Sequence, residues 1–142
     1  MTRETFIESL VEMVVNDAVA FKVFSGPGYK KSNGEMARKL NVSLDREKVS
    51  QYVIAAADKL KTELKIDLQK KFVYLKFDCA TRIRTNYLGV NIRYVDSSNN
   101  PVTKTLAVLD TRSQHTSREL KNILSKVLED FNIPLNQVLC CD

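Results

Sequence analysis

The chain has one histidine, three cysteines, four glycines and no tryptophan, and these shortages remove several classes of function at the outset. A single His excludes a His-rich metal site and any Cys2His2 or BED finger. Three cysteines, an odd number without a Cys-x-x-Cys pair, argue against a disulfide framework or a structural zinc, so Cys140 and Cys141 read as reduced strand residues. Ser25-Gly-Pro-Gly28 lacks the Gly-Lys-Ser/Thr ending of a phosphate loop and reads as a break in the chain. There is no apolar run of about eighteen residues and no signal-peptide pattern, which points to an intracellular protein with no membrane partner.

What is present is one domain's length of chain, 142 residues, with a net charge of +5 and a pI near 9.1. That balance is compatible with nucleic acid, although the 22 basic residues are interspersed with 17 acids. The cluster that stands out is Arg82, Arg84 and Arg93, candidate phosphate contacts; the alternative is loop arginines kept for solubility.

The second half carries the clearer pattern. Phe72 to Phe77 is rich in β-formers and apolar on both faces, as a central strand should be, and Asp78 closes it. Tyr87 to Val95 alternates, Asp96-Ser-Ser-Asn-Asn-Pro101 is a turn, and Val102 to Leu109 resumes the β pattern, so an antiparallel meander of three strands is expected. Thr116-Ser-Arg-Glu119 is a capping box opening a helix whose stripe is Leu120, Ile123, Leu124, Val127, Leu128 and Phe131, and Pro134 stops it. Gln137 to Cys141 is a short strand ending on Asp142. A strand, helix, strand passage lays the last strand parallel to one already in the sheet. If that neighbour is the first strand, Asp78 and Asp142 can share a divalent metal. For Asp78 the alternative is a strand-end acid that caps a turn or pairs with an arginine. His115 reads as a loop or capping residue.

The first half is helical. Thr5-Phe-Ile-Glu8 is a second capping box, and Phe6, Ile7, Leu10, Val11, Val14 and Val15 make a packing stripe. Asp45 can cap a long helix with Val49, Tyr52, Val53, Ala56, Leu60 and Leu64 on one side. Glu35 to Ser43 also fits the first helix and turn of a helix-turn-helix, which would make residues 35–57 a DNA-binding unit with Asp45 to Ala57 in the major groove; the alternative is a purely structural helical pair, since Val49 comes about two residues later than that motif wants and the following helix is far longer than a recognition helix.

Lys76-Phe-Asp-Cys-Ala-Thr-Arg82, Tyr87-Leu-Gly-Val-Asn-Ile92, Lys104-Thr-Leu-Ala-Val108, His115-Thr116, the Leu120 helix and Val138-Leu-Cys-Cys-Asp142 together resemble the hAT superfamily of transposases and their domesticated, zinc-finger-BED-type relatives. Val14 to Tyr29 resembles that family's helix and Gly-Tyr step. The resemblance implies a helical region at 1–70 and, at 71–142, part of a ribonuclease H-like core, an α+β fold. It also implies that Asp78 and Asp142 are two acids of a DDE triad holding Mg²⁺ or Mn²⁺, with DNA as partner, a nuclear location and a homo-oligomer formed through other regions. The departures are Ala80 where the family has Trp, Cys141 where it has Thr, and no counterpart for the third acid. The expectation is therefore a partial core without activity of its own. A domesticated, non-catalytic DNA-associated or protein-interaction module is the alternative.

Overall fold

The computed structural model describes residues 1–82, 85–111 and 116–139. These fall into two compact units, Met1–Leu60 and Lys61–Asp142.

The first unit is helical: α1 (Arg3–Val15), α2 (Phe21–Ser25), α3 (Pro27–Lys39) and the first part of α4 (Arg46–Asp67). Its core is Phe6, Leu10, Phe24, Ala37, Val42, Leu44 and Val49. The cap of α1 is Thr2, whose hydroxyl accepts from the Thr5 amide, so Thr5 lies inside the helix and does not open it. Gly26 is a single-residue corner. Pro27 occupies the first helical turn, where a missing N–H costs nothing, and α3 therefore runs from Pro27 and not from Glu35. It ends in a Schellman motif: Asn41 is left-handed (φ 52°), Val42 N–H donates to Ala37 O (2.8 Å), and Asn41 N–H donates to Arg38 O (3.1 Å). Val42 and Ala37, the pair this motif brings together, are both buried. Leu60 and Val15, assigned to packing stripes by spacing, are 65% and 63% exposed.

The second unit comprises the end of α4, β1 (Val73–Arg82), β2 (Thr85–Val95), β3 (Pro101–Asp110), α5 (Ser117–Asp130) and β4 (Val138–Leu139). The strands form one mixed sheet in the order β3-β2-β1-β4. The first three are the antiparallel meander, and β4 lies parallel to β1, Val73 beside Val138 and Tyr74 beside Leu139. Leu88, Val90, Ile92 and Tyr94 alternate along β2 and are all buried. Against this face sit Val127 and Leu128 of α5 and Phe131 at its C-terminal cap, with Leu120, Ile123 and Leu124 packed around them. Thr116 caps α5 through the full reciprocal box. Pro134 is not what stops the helix. A second Schellman motif ends it first, with Asn132 left-handed (φ 56°) and Ile133 N–H donating to Leu128 O (2.9 Å). Leu135–Gln137 is a 3-10 turn, so the described part of β4 starts one residue later than the apolar pattern suggests.

A polar cluster ties the end of α4 to the sheet. Tyr94 Oη donates to Asp67 Oδ2 (2.6 Å), Lys71 Nζ donates to Asp67 Oδ1, and the ammonium stands 5.3 Å from the Tyr94 ring centre. The hydrogen bonds from Lys71 and Tyr94 hold the Asp67 carboxyl below its ordinary range. Burial, then the bond to Asp67, pushes the Tyr94 phenol up to about 12.

Candidate functional site

Alternation along paired strands assigns every sheet residue to a face. With Leu88, Val90, Ile92 and Tyr94 turned to α5, the opposite face carries Tyr74, Lys76, Asp78 and Ala80 of β1, and Tyr87, Gly89, Asn91 and Arg93 of β2. Pairing extends the rows onto β3: Arg93 beside Thr103, Asn91 beside Thr105, Gly89 beside Val108 and Tyr87 beside Asp110. Thr105 Oγ1 donates to Asn91 Oδ1 across one of these rows (2.7 Å).

Asp78 does not end its strand. It is the sixth of ten residues in β1, paired with Gly89, and Cys79 to Arg82 continue the ladder against Thr85 to Leu88. The hairpin partner supplies the backbone hydrogen bonds that keep those four residues extended despite their mixed composition. Nor is this strand buried on both faces: Val73 is fully buried, whereas Tyr74 is 45% and Phe77 47% exposed. Phe72 lies just before the strand and is 62% exposed.

The Asp78 side chain is two-thirds exposed, and Lys76 Nζ lies 3.6 Å from its Oδ2. That neighbour follows from strand period alone, since residues two apart share a face, although sequence reading passed over it. Gly89 places no side chain beside Asp78 on β2, so the carboxylate is open to solvent on that side. Arg93 is exposed on the same face but four residues further along β2, about 13 Å from the level of Asp78. Arg82 is located by its backbone alone, paired with Thr85 and four residues past Asp78. Asp142, Arg84 and His115, together with Cys140 and Cys141, lie outside the described residues.

A scan of protein-family models finds no match to this chain, and a search of curated proteins finds none either. The chemistry must therefore be judged from the site itself. An exposed carboxylate is a donor that Mg²⁺ or Mn²⁺ accepts. Among the described residues, however, no group of three or more His, Cys, Asp or Glu side chains converges. Beside Asp78 stands a cation, Lys76, so the described residues alone do not fit a two-metal centre. What the site offers is one solvent-facing carboxylate on a central strand, with a lysine, an asparagine and a threonine on the adjoining row. Among the described residues no helix is long and apolar enough to cross a membrane.

Proposed function

We propose that residues 71–142 are the opening part of a ribonuclease H-like core of the hAT transposase type. In this reading the parent activity is metal-dependent cleavage and joining of DNA in the nucleus, and Asp78 and Asp142 are two of its acids. The observation that carries the reading is the sheet order β3-β2-β1-β4 with β4 parallel to β1, a meander followed by a helical crossover back to the first strand. The described part of β4, Val138–Leu139, runs parallel beside Val73 and Tyr74 of β1, the strand that carries Asp78, and this adjacency supports reading the two acids as a pair. The 142 residues offer no counterpart to the third acid, so this chain by itself binds Mn²⁺ weakly and does not cut DNA.

Two measurements test this. Mn²⁺ titration followed by electron paramagnetic resonance should show weak binding that Asp78→Ala and Asp142→Asn each reduce. Asp78 is exposed, so its replacement should change stability by less than about 0.5 kcal/mol, which separates loss of binding from loss of fold. Supercoiled plasmid incubated with Mn²⁺ should show equal background nicking with the parent chain and the Asp78→Ala variant. Mn²⁺ binding indifferent to both acids would refute the metal site, and nicking that Asp78→Ala abolishes would refute the inactive reading.

A further inference from the structure

We propose that the surface formed by α3, the turn after it and the start of α4 binds double-stranded DNA through its phosphates. The inference is independent of the sheet and of Asp78. Residues 27–51 hold six lysines and arginines (Lys30, Lys31, Arg38, Lys39, Arg46 and Lys48) against three acids (Glu35, Asp45 and Glu47). The rest of the chain holds 16 basic residues against 14 acids, so more than half of the net charge sits in this short stretch. All six cations are exposed.

The local pairings leave most of this positive charge available. Lys39 is paired with Glu35 (2.8 Å) and Lys30 with Asp45 (3.5 Å), whereas among the described residues Lys31, Arg38 and Arg46 form no ion pair. Asp45, the acid best placed to repel a phosphate, is already engaged by Ser43 Oγ (2.9 Å) and Lys30. Between α3 and the turn lies an open cleft of about 510 Å³, bordered by Lys30, Arg38, Asn41, Ser43 and Asp45. Gly34 lines the same cleft, and a side chain there would meet nothing within 4 Å, so the backbone leaves room for a bulky anion.

Rigidity comes from the core beneath. Ala37, Val42, Leu44 and Val49 are buried together, and the Schellman end of α3 fixes the turn, giving the helix, anchored turn, helix order of a DNA-reading unit. Arg46, Lys48 and Gln51 are exposed at the leading end of α4, with Lys48 Nζ donating to Gln51 Oε1 (3.0 Å). A helix about 10–12 Å across enters the major groove of B-form DNA, about 12 Å wide, whereas the narrow major groove of A-form RNA does not admit it. Duplex DNA is therefore the partner that fits, held mainly by phosphate contacts and thus with strong dependence on salt.

The experiment is fluorescence anisotropy of a labelled duplex titrated with the whole chain at several salt concentrations. Arg38→Ala/Arg46→Ala/Lys48→Ala should weaken binding by about tenfold or more and reduce the salt slope by roughly 2–3. Arg118→Ala/Lys121→Ala/Lys126→Ala removes the same charge from exposed positions of α5 and should leave both quantities nearly unchanged. The substituted residues are exposed, and Arg38→Lys/Arg46→Lys probes two of the same positions without charge loss and should retain binding. The proposal fails if the parent chain does not bind duplex at low salt, if the α5 variant loses as much as the first, if the slope does not move, or if single-stranded RNA of equal length binds more tightly.

Discussion

Leu128 and Leu124 stand one turn apart on α5 and make a graded test of how this helix is held. Leu128 is 3% exposed and belongs to the sheet core, whereas Leu124 is half-buried and packs at its border. Cutting a fully buried leucine to alanine removes its transfer free energy and leaves a cavity, together about 2–5 kcal/mol. Helix propensity scarcely offsets this, because Leu and Ala both favour the helix. For Leu124 part of the side chain already meets water, and the vacated space opens to solvent, so about 1–2 kcal/mol is expected. The two units have separate cores, and a single unfolding transition cannot be assumed. The signal should therefore come from the sheet unit, for example near-ultraviolet dichroism, to which its one buried tyrosine, Tyr94, contributes. In urea the midpoint should fall further for Leu128→Ala than for Leu124→Ala, with the slope unchanged in both. Equal losses, or a larger one at Leu124, would show that α5 does not lie on the sheet as described.

Tyr94→Phe should cost about 1–2 kcal/mol by leaving Asp67 short of a donor in a part-buried site, read from the same urea curves. The phenol's folded value lies above its unfolded one, so its contribution is complete below pH 10, declines as pH rises toward about 12 and is lost above that; over this window Tyr94→Phe should lose less stability than the parent. Asp67 is shifted down, so its contribution is present above the ordinary carboxylate range and fades as pH falls through the folded value. Thr116→Ala should cost about 1 kcal/mol by removing the hydroxyl that accepts from the Glu119 amide, while the Thr116 N–H still donates to the Glu119 carboxylate, and Thr116→Ser should recover most of it in thermal melts.

The parts of the fold that were legible in the sequence were those where local signal and tertiary demand agree. Thr116 and Glu119 announced α5, and its apolar spacing matched the packed face residue for residue. The alternation of Leu88, Val90 and Ile92 gave β2, and the capped helix between strands gave the parallel return to β1. What escaped was decided by partners distant in sequence. Cys79-Ala-Thr-Arg82 has no strong strand signature, and it is the ladder with Thr85 to Leu88 that keeps it extended, which moved Asp78 from the end of a strand to its middle. Two glycines and a proline between residues 26 and 28 looked like a break, yet Pro27 is admissible at a helix start and the buried Ala37 draws α3 through Gly28 and Gly34. The Thr5-Phe-Ile-Glu8 pattern pointed to Thr5 as the cap of α1, whereas the hydroxyl that accepts from the first turn is that of Thr2, three residues earlier.

The irregularity in β3 carries a consequence for how this sheet tolerates change in chain length. Val90 pairs with Ala107 while the next residue, Asn91, pairs with Thr105, so Leu106 is the extra residue of a bulge. Removing any other residue from the middle of β3 shifts part of the strand by one and sends its side chains to the wrong face. Removing Leu106 leaves Thr105 and Ala107 as direct neighbours, each already opposite its present partner and on its present face. Only the packing of Leu106 against the core is lost. A strand that cannot drift by single substitutions alone thus keeps one position where a whole codon can be deleted, and sequences one residue shorter at this point should fold to the same sheet.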